Sequence, residues 1–216
     1  SKILSINYRN TQQIVRFAWD FYQNNSLLKN KVVEQGFEGE IIAPKSTLRK
    51  GPEPFIYKAN NFNDEMSKVI QVINRIHEKH KVPYDEMVIL YRVKRLSDNY
   101  YIDTIMRSLK QANIPHYWIS EDASSKRNYL KNDGKVKIST IESSKGLDFQ
   151  AVFIVNVDNM PFKRVEDENR EAALLYIAMT RAHKYLTLSY SGESKFTKYF
   201  DQIIQQTEYI QNEKLI

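Results

Sequence analysis

The chain has 216 residues, 42% of them hydrophobic and 27% charged, which is enough apolar material for a buried core and excludes an intrinsically disordered protein. No apolar run reaches the roughly 18 residues that a membrane helix needs, and no signal-peptide pattern is visible. The chain has no cysteine, which excludes disulfides and cysteine-ligated metal sites and favours a reducing, cytoplasmic location. The net charge of +6 is compatible with a nucleic-acid partner but also common among other domains.

Apolar periodicity and turn residues predict the elements of the first half of the chain. In order, they are a helix capped by Asn10 or Thr11, an irregular loop over 31–54, a strand over 55–57, a helix capped by Asn63, and a strand over 87–91. The last of these, Met-Val-Ile-Leu-Tyr, is almost continuously apolar, which is typical of a strand covered on both faces.

The second half continues the alternation of helices and strands. The predicted elements are a helix opening at Ser97, a strand over 116–119, a polar surface connection over 121–133, strands over 135–140 and 151–157, a helix over 167–182, a strand over 185–190 and a closing helix. This alternation predicts an α/β fold in which helices cover both faces of a parallel sheet, forming one domain over residues 1–216.

Several common kinds of chemical site are missing from the sequence. No G-x-x-x-x-G-K-[ST] motif is present, so the chain has no phosphate loop of its own. His77 and His80 are spaced i, i+3 without a third ligand, and no metal site is predicted. A nucleophilic serine in a G-x-S-x-G elbow is also absent.

Four segments stand out from this background. They are Asn7-Tyr8-Arg9-Asn10, Ile89-Leu90-Tyr91-Arg92 with the later Ala112-Asn113-Ile114-Pro115, the stretch from Thr140 to Phe149, and the stretch from Leu175 to Ala182. In this order and spacing they resemble the motifs of the second RecA-like motor domain of superfamily 1 DNA helicases of the UvrD/PcrA/Rep type. The resemblance covers the chain almost end to end.

The resemblance implies a RecA-like fold and an ATP site shared between two motor domains. The first motor domain would hold ATP with its magnesium ion, and this chain would close over the γ-phosphate. By motif position, Tyr8 matches a residue that stacks on adenine, Arg9 one that reaches the γ-phosphate, and Asp148 one that binds the ribose. Arg181 matches the arginine finger, a role that suits a planar and permanently charged guanidinium. Gly146 suits a turn where backbone approaches a ligand closely.

The same resemblance implies that Arg92, Thr140 and Ser143 face single-stranded DNA. Arg92 has an equally good alternative, because it directly follows a buried strand and can pair with a carboxylate. At the neighbouring position Glu142 replaces a histidine that is usual in the family, and Lys94 replaces an asparagine. A carboxylate beside DNA phosphates is repulsive unless a cation neutralises it, and Lys145 and Lys94 are the candidates.

Two further departures concern the helix over 167–182 and the connection at about 120–134. Ala172 and Ala173 stand where the family commonly has paired arginines. Relatives also insert a large helical subdomain where this chain has only a short connection, at about 120–134. The sequence therefore predicts a compact, divergent member of the family.

Together these features predict the C-terminal half of an ATP-dependent DNA helicase or translocase, of 3′-to-5′ polarity by analogy. Its partners would be the first motor domain of the same protein and single-stranded DNA, with no membrane involved. Two alternatives remain: a DNA- or protein-binding scaffold that keeps the motor fold without turnover, and the motor module of a helicase-nuclease.

We expect the isolated 216-residue chain to hydrolyse no ATP, with or without single-stranded DNA, because it has no phosphate loop and no carboxylate pair for magnesium. Phosphate release from a contaminant-free preparation measures this directly. Turnover by the purified chain would contradict the prediction of a shared site.

Overall fold

The computed structural model describes residues 10–27, 48–96, 99–162 and 167–213. Its strands are β1 (Phe55–Lys58), β2 (Met87–Tyr91), β3 (Arg95–Leu96), β4 (Asn99–Tyr100), β5 (His116–Trp118), β6 (Val136–Thr140), β7 (Phe149–Ile154) and β8 (Ala182–Tyr190). Its helices are α1 (Gln12–Asn25), α2 (Phe62–His80), α3 (Tyr101–Gln111), α4 (Ala123–Arg127), α5 (Glu168–Met179) and α6 (Lys195–Glu213).

Six strands form one sheet in the order β1-β8-β7-β2-β6-β5, and every neighbouring pair is parallel. β2 lies in the interior of the sheet, and all five of its residues are buried. Val88 and Leu90 pack into the core that α1, α5 and α6 cover, whereas Ile89 and Tyr91 pack into the core under α2 and α3. The predicted parallel sheet with helices on both faces is therefore confirmed, and the alternation of side chains along each strand builds the two cores.

Ala172 and Ala173 lie within the core between α5 and α1, and both are fully buried. An arginine at either position would bring a charge into a space that apolar side chains fill. Small side chains at these positions let α1 pack directly against α5, which gives a packing reason for this departure from the usual family sequence.

Two predicted helix starts differ from the observed ones. The cap of α2 is Asn61, whose side chain accepts a hydrogen bond from the backbone N–H of Asp64 at 3.0 Å, and Asn63 is the second residue of the helix. The next helix, α3, begins at Tyr101 after the short antiparallel pair β3 and β4, which the sequence analysis missed. Ser97, predicted to open that helix, lies outside the described residues.

The connection over 121–133 contains one helical turn, α4, that was predicted only as a polar surface segment. Asp122 caps it, since its carboxylate accepts a hydrogen bond from the backbone N–H of Ser125 at 2.7 Å. No helix in the described ranges is long and apolar enough to cross a membrane.

A buried carboxyl group joins α2 to the sheet. Glu65 is fully buried, and its Oε2 accepts hydrogen bonds from the backbone N–H of Asn156 at 3.0 Å and from the hydroxyl of Ser189 at 2.8 Å. Burial raises the pKa of Glu65 from 4.5 to about 7, and the nearby Asp158 carboxylate adds to this, while the two hydrogen bonds act against it. The side chain therefore keeps its proton over a pH range in which an unfolded chain would lose it.

We expect the free energy of unfolding to fall as the pH rises from about 4.5 to about 7, because in this range the folded state binds the Glu65 proton and the unfolded state does not. The Glu65 contribution is fully present below pH 4.5, and its loss by pH 8 is on the order of 3 kcal/mol at about 1.4 kcal/mol per pKa unit. Urea unfolding of wild type and Glu65→Gln at pH 5 and pH 8 measures it, because the variant cannot titrate there. Equal pH dependence of the two proteins would contradict the assignment to Glu65.

Candidate functional site

The predicted site residues within the described ranges lie at two opposite edges of the sheet. Asp148 and Arg181 immediately precede the amino ends of β7 and β8, whereas Arg92 and Thr140 lie at the carboxyl ends of β2 and β6. The loop 141–148 leaves the carboxyl end of β6 and enters the amino end of β7, so it connects the two edges. The two sets of residues predicted for nucleotide and for DNA are thus spatially separate.

Arg181 follows the C-terminus of α5 and is partly buried. Its Nε donates to the carbonyl of Ile177 and one terminal nitrogen donates to the carbonyl of Leu147, both at 3.3 Å. Burial lowers the pKa of the guanidinium, and the nearby Asp148 carboxylate acts in the opposite direction. Within the described part of the chain Arg181 makes no ion pair within 4.0 Å, so its cation is held by carbonyl dipoles and not by a carboxylate.

Asp148 stands beside this arginine, with partners that the sequence analysis did not identify. Its Oδ2 lies 3.0 Å from Nε2 of His183, and its Oδ1 lies 3.7 Å from the ammonium of Lys131. His183 is two positions beyond Arg181 and directly follows the motif that ends at Ala182, and this proximity was the available sequence signal. Lys131 belongs to the short connection before β6, so only the fold brings it to this edge.

Gly146 occupies the turn that carries Leu147 and Asp148 to the amino edge. Its φ is +80°, a conformation that strains any residue with a side chain, and a Cβ built there would meet nothing within 4 Å. The glycine is therefore required by the backbone, and the space in front of it is open.

The segment entering α1 is attached to the same edge through Asn10. Asn10 is buried, and its amide nitrogen donates to the carbonyls of Thr180 at 2.8 Å and Ala182 at 2.6 Å, on either side of Arg181. Thr11 occupies the cap position of α1 without a capping side-chain hydrogen bond. Tyr8 and Arg9, which directly precede Asn10, lie outside the described residues, so their nucleotide roles stay predictions.

At the carboxyl edge, Arg92 is engaged with a carboxylate. Its Nε and one terminal nitrogen bind Glu171 at 2.8 to 3.1 Å, and its guanidinium lies 5.4 Å from the ring centre of Phe162. The Arg92 side chain is 10% exposed and that of Glu171 is 0% exposed. Burial alone would lower the pKa of Arg92, but the hydrogen bond and charge of Glu171, together with Glu142, raise it above its usual value. Of the two roles left open for Arg92, the structure provides the carboxylate pairing.

Glu142 has cationic neighbours other than those expected. Its Oε1 lies 3.6 Å from Arg92 and 3.8 Å from Arg170, and the side chain is 44% exposed. The prediction that Lys145 or Lys94 neutralises it was wrong: Lys94 donates to the carbonyl of Glu121 and lies over the ring of Trp118. Arg92 is close to Glu142 because they follow the adjacent strands β2 and β6. The sequence spacing around either residue does not indicate this pairing.

Thr140 ends β6, and Ser143 lies in the loop 141–148 that follows it. The backbone N–H of Ser143 donates to the Thr140 hydroxyl at 3.2 Å, and the backbone N–H of Thr140 donates to the hydroxyl of Ser120 at 3.0 Å. Both side chains are partly exposed at the carboxyl edge. This placement leaves the predicted DNA contacts of the two residues physically open. Among the described residues, no cluster of three or more potential metal ligands occurs.

Comparison with known sequences identifies similar proteins over nearly the whole chain. A sequence model of the UvrD-like helicase C-terminal domain matches residues 3–132 and 120–193. A probable DNA helicase of Mycoplasma pneumoniae is 24% identical over 96% of this chain and 36% of its own length. A probable DNA helicase II homologue from the same organism is 29% identical over 69% of this chain and 24% of its own length. The chain thus spans about a third or less of these relatives.

A solved structure shares the fold. The C-terminal domain of a possible DNA helicase from Lactobacillus plantarum has a TM-score of 0.57 at 21% identity, covering 88% of this chain and 91% of that one. At this identity the similarity shows the fold alone.

We expect Glu171→Ala to lower the free energy of unfolding by about 3 to 5 kcal/mol, because it removes the fully buried carboxylate that binds two nitrogens of Arg92 and leaves the 44% exposed Glu142, 3.6 Å away, to offset the charge. The double variant Arg92→Met with Glu171→Leu should recover most of this loss, since no buried charge then remains. Urea unfolding of the single and double variants measures both effects.

Arg16 and Glu53 provide a matched control. They pair at the same 2.8 Å but have side chains that are 62% and 67% exposed, so Glu53→Ala should cost less than about 1 kcal/mol. Similar losses in Glu171→Ala and Glu53→Ala would show that burial does not set the strength of the Arg92 pair.

Proposed function

Because the chain belongs to the UvrD-like helicase C-terminal domain family, we propose that it is the second motor half of an ATP-dependent DNA helicase. In this proposal the amino edge of β7 and β8 completes an ATP site held by the first motor domain. The carboxyl edge of β2 and β6 forms part of a single-stranded DNA track. The lack of cysteine and of a phosphate loop fits a cytoplasmic protein whose other motor domain supplies ATP and magnesium binding.

The observation that carries the proposal is the state of Arg181. Its guanidinium is partly buried and held by two carbonyls, while no carboxylate within 4.0 Å neutralises it in the described part of the chain. A guanidinium has five N–H donors, so three remain for a ligand. A cation held in this way favours an anion that approaches from outside, and a γ-phosphate in a facing domain has the required charge and geometry.

The neighbours of Arg181 suit the rest of a nucleotide. We propose that Asp148, oriented by His183, accepts hydrogen bonds from the ribose hydroxyls and that the open space before Gly146 admits the ligand. Asn10 fixes the start of α1 on both sides of Arg181. This attachment supports the roles proposed for the preceding Tyr8, which would stack on adenine, and Arg9, which would contact the γ-phosphate.

On the DNA side, Thr140 and Ser143 are the proposed phosphate contacts. Arg92 would contribute through Nη1, which lies 3.6 Å from Glu142, because Glu171 already holds Nε and Nη2. The Glu142 carboxylate at the same edge lowers the positive potential of this surface, and Arg170 partly compensates it. A 3′-to-5′ direction of movement is part of the proposal by analogy with the family.

A scaffold that binds DNA without turnover is the second candidate, and the ion pairs at the carboxyl edge favour it. Arg92 and Glu142 are engaged with each other and with Glu171 and Arg170, so less charge is available for a moving strand. DNA-stimulated ATP hydrolysis by the complete protein separates the two candidates, because a scaffold would show none.

In the complete protein we expect Arg181→Ala to lower kcat for ATP hydrolysis by about 10³-fold or more with nearly unchanged nucleotide affinity, because the guanidinium acts on charge in the transition state. Steady-state kinetics with single-stranded DNA measure both constants. Arg75→Ala, at an exposed position of α2, is the control and should behave as wild type. Equal kinetics of the Arg181 and Arg75 variants would exclude a role of Arg181 at the ATP site.

We also expect Glu142→Gln to tighten binding of single-stranded DNA, most clearly at low salt, because it removes a repulsive charge together with the ion pairs that this charge makes with Arg92 and Arg170. The salt dependence should steepen by up to about one unit of slope. Salt titrations of the complete protein on oligothymidine test this, with Glu53→Gln as an exposed carboxylate control. Unchanged or weaker binding at every salt concentration would show that Glu142 is not at a DNA surface.

A further inference from the structure

The connection between β5 and β6 reaches the amino edge of the sheet, beside the residues proposed to bind a nucleotide. Its last part, residues 128–135, leads from α4 into β6. This segment carries Lys131, whose ammonium lies 3.7 Å from Oδ1 of Asp148. A side chain delivered in this way acts on a site only if the segment that carries it is itself held in place.

A buried ion pair holds the segment on the sheet. The ammonium of Lys137, in β6, pairs with the carboxylate of Asp133, and the two side chains are 0% and 15% exposed. The same ammonium lies 5.9 Å from the ring centre of Tyr117 and 5.5 Å from that of Tyr129. A buried ammonium that loses its carboxylate is strongly destabilising, so Asp133 is fixed relative to β6.

Backbone hydrogen bonds hold the residues that follow. The backbone N–H of Gly134 donates to Oδ2 of Asp85 at 2.9 Å, and that of Lys135 donates to Oδ1 of Asp133 at 3.0 Å. Gly134 has a φ of +69°, a conformation that suits glycine, so the turn into β6 has a defined shape. The backbone that carries Lys131 is therefore anchored two residues further along the chain.

The carboxylate of Asp148 lies between two side chains that orient it. Nε2 of His183 lies 3.0 Å from Oδ2, and the Lys131 ammonium lies on the Oδ1 side. The Asp148 side chain is 20% exposed, so water screens these interactions less than it would at an open surface. At 3.7 Å the ammonium attracts Oδ1 without making a hydrogen bond to it. Lys131 thus orients the carboxylate and does not itself use a hydrogen bond of Oδ1.

Recognition of a hydroxyl benefits from such orientation. A ribose hydroxyl donates to a carboxylate oxygen only over a narrow range of distances and angles, and a carboxylate that rotates loses side-chain entropy when it binds. Lys131 and His183 restrict this rotation before a nucleotide arrives. Because Lys131 comes from the connection and His183 from β8, the restriction comes from two separate elements of the fold.

We propose that Lys131 is a positioning residue for ribose recognition, acting through Asp148, and that residues 128–135 belong to the nucleotide site. This role rests on the proposed function, because it needs a nucleotide at the amino edge with its ribose against Asp148. A nucleotide without ribose hydroxyls has no use for Asp148, so its binding should not depend on Lys131.

Binding of ADP and of 2′,3′-dideoxy-ADP to the complete protein tests this role. Isothermal titration calorimetry measures both dissociation constants without turnover. We expect Lys131→Ala to raise the dissociation constant of ADP about threefold to fivefold, the scale of a partly exposed ion pair, and to leave that of dideoxy-ADP unchanged. Lys131→Arg keeps the charge and should behave as wild type. Lys126→Ala is the matched control, because it removes an exposed lysine from α4 in the same connection, and it should change neither constant.

Two results for Lys131→Ala would overturn the role. Unchanged binding of ADP would show that Asp148 needs no help from Lys131. Equal weakening of ADP and dideoxy-ADP would mean that the charge of Lys131 acts directly on the phosphates and not through Asp148.

Asp148→Asn separates a failure of this role from a failure of the proposed function. It should weaken ADP more than dideoxy-ADP, and Lys131→Ala added to it should have no further effect, because the ion pair is already lost. If Asp148→Asn shows this preference and Lys131→Ala does not, only the role of Lys131 is overturned. If Asp148→Asn affects both nucleotides equally, the proposed ribose contact of Asp148 fails, and the role of Lys131 fails with it.

Discussion

Parallel pairing with helices on both faces is the constraint on which the rest of this molecule depends. Because α1, α5 and α6 cover one face and α2 and α3 the other, the strands of the central sheet present few side chains to solvent. Residues with chemical roles are therefore confined to the loops at the amino and carboxyl edges. The distribution of candidate residues follows this rule: Asp148 and Arg181 lie at one edge, and Thr140 and Arg92 at the other.

Charge is treated differently at the two edges. At the carboxyl edge, the guanidinium of Arg92 is held by the fully buried carboxylate of Glu171. The same carboxylate also accepts a hydrogen bond from the backbone N–H of Phe162. That arrangement ties the end of β2 to α5 and to the segment before it, so its first effect is structural. At the amino edge, Arg181 is held by two carbonyls and has no carboxylate within 4.0 Å among the described residues. The difference gives a physical reason to assign anion binding to Arg181 first.

The sequence was sufficient for the order of the elements and for the covering of both sheet faces, because apolar periodicity over elements such as α2 and β2 is strong and local. It also located the two motifs that hold Gly146 and Arg181. It was not sufficient for contacts between distant positions. Arg92 and Glu171 are 79 positions apart, and Asn10 reaches the carbonyl of Thr180 across 170 positions. The β3–β4 pair was missed because strands of two residues carry no periodicity. The partners of Glu142 were misassigned because lysines nearby in sequence were preferred to arginines brought close by the fold.

The loop 141–148 has little slack. By strand register, Phe149 begins β7 about 20 Å below the level at which Thr140 ends β6, and the two strands are two spacings, or about 10 Å, apart. The chain between them contains the 3₁₀ turn Glu142–Ser144, which shortens its full reach to roughly 26 Å against a straight-line distance of about 22 Å. A displacement of more than a few ångströms at Thr140 therefore exceeds what the loop can take up by straightening. A larger displacement must therefore also move Leu147, whose carbonyl accepts a hydrogen bond from Arg181. The loop thus limits how far the two edges can move independently.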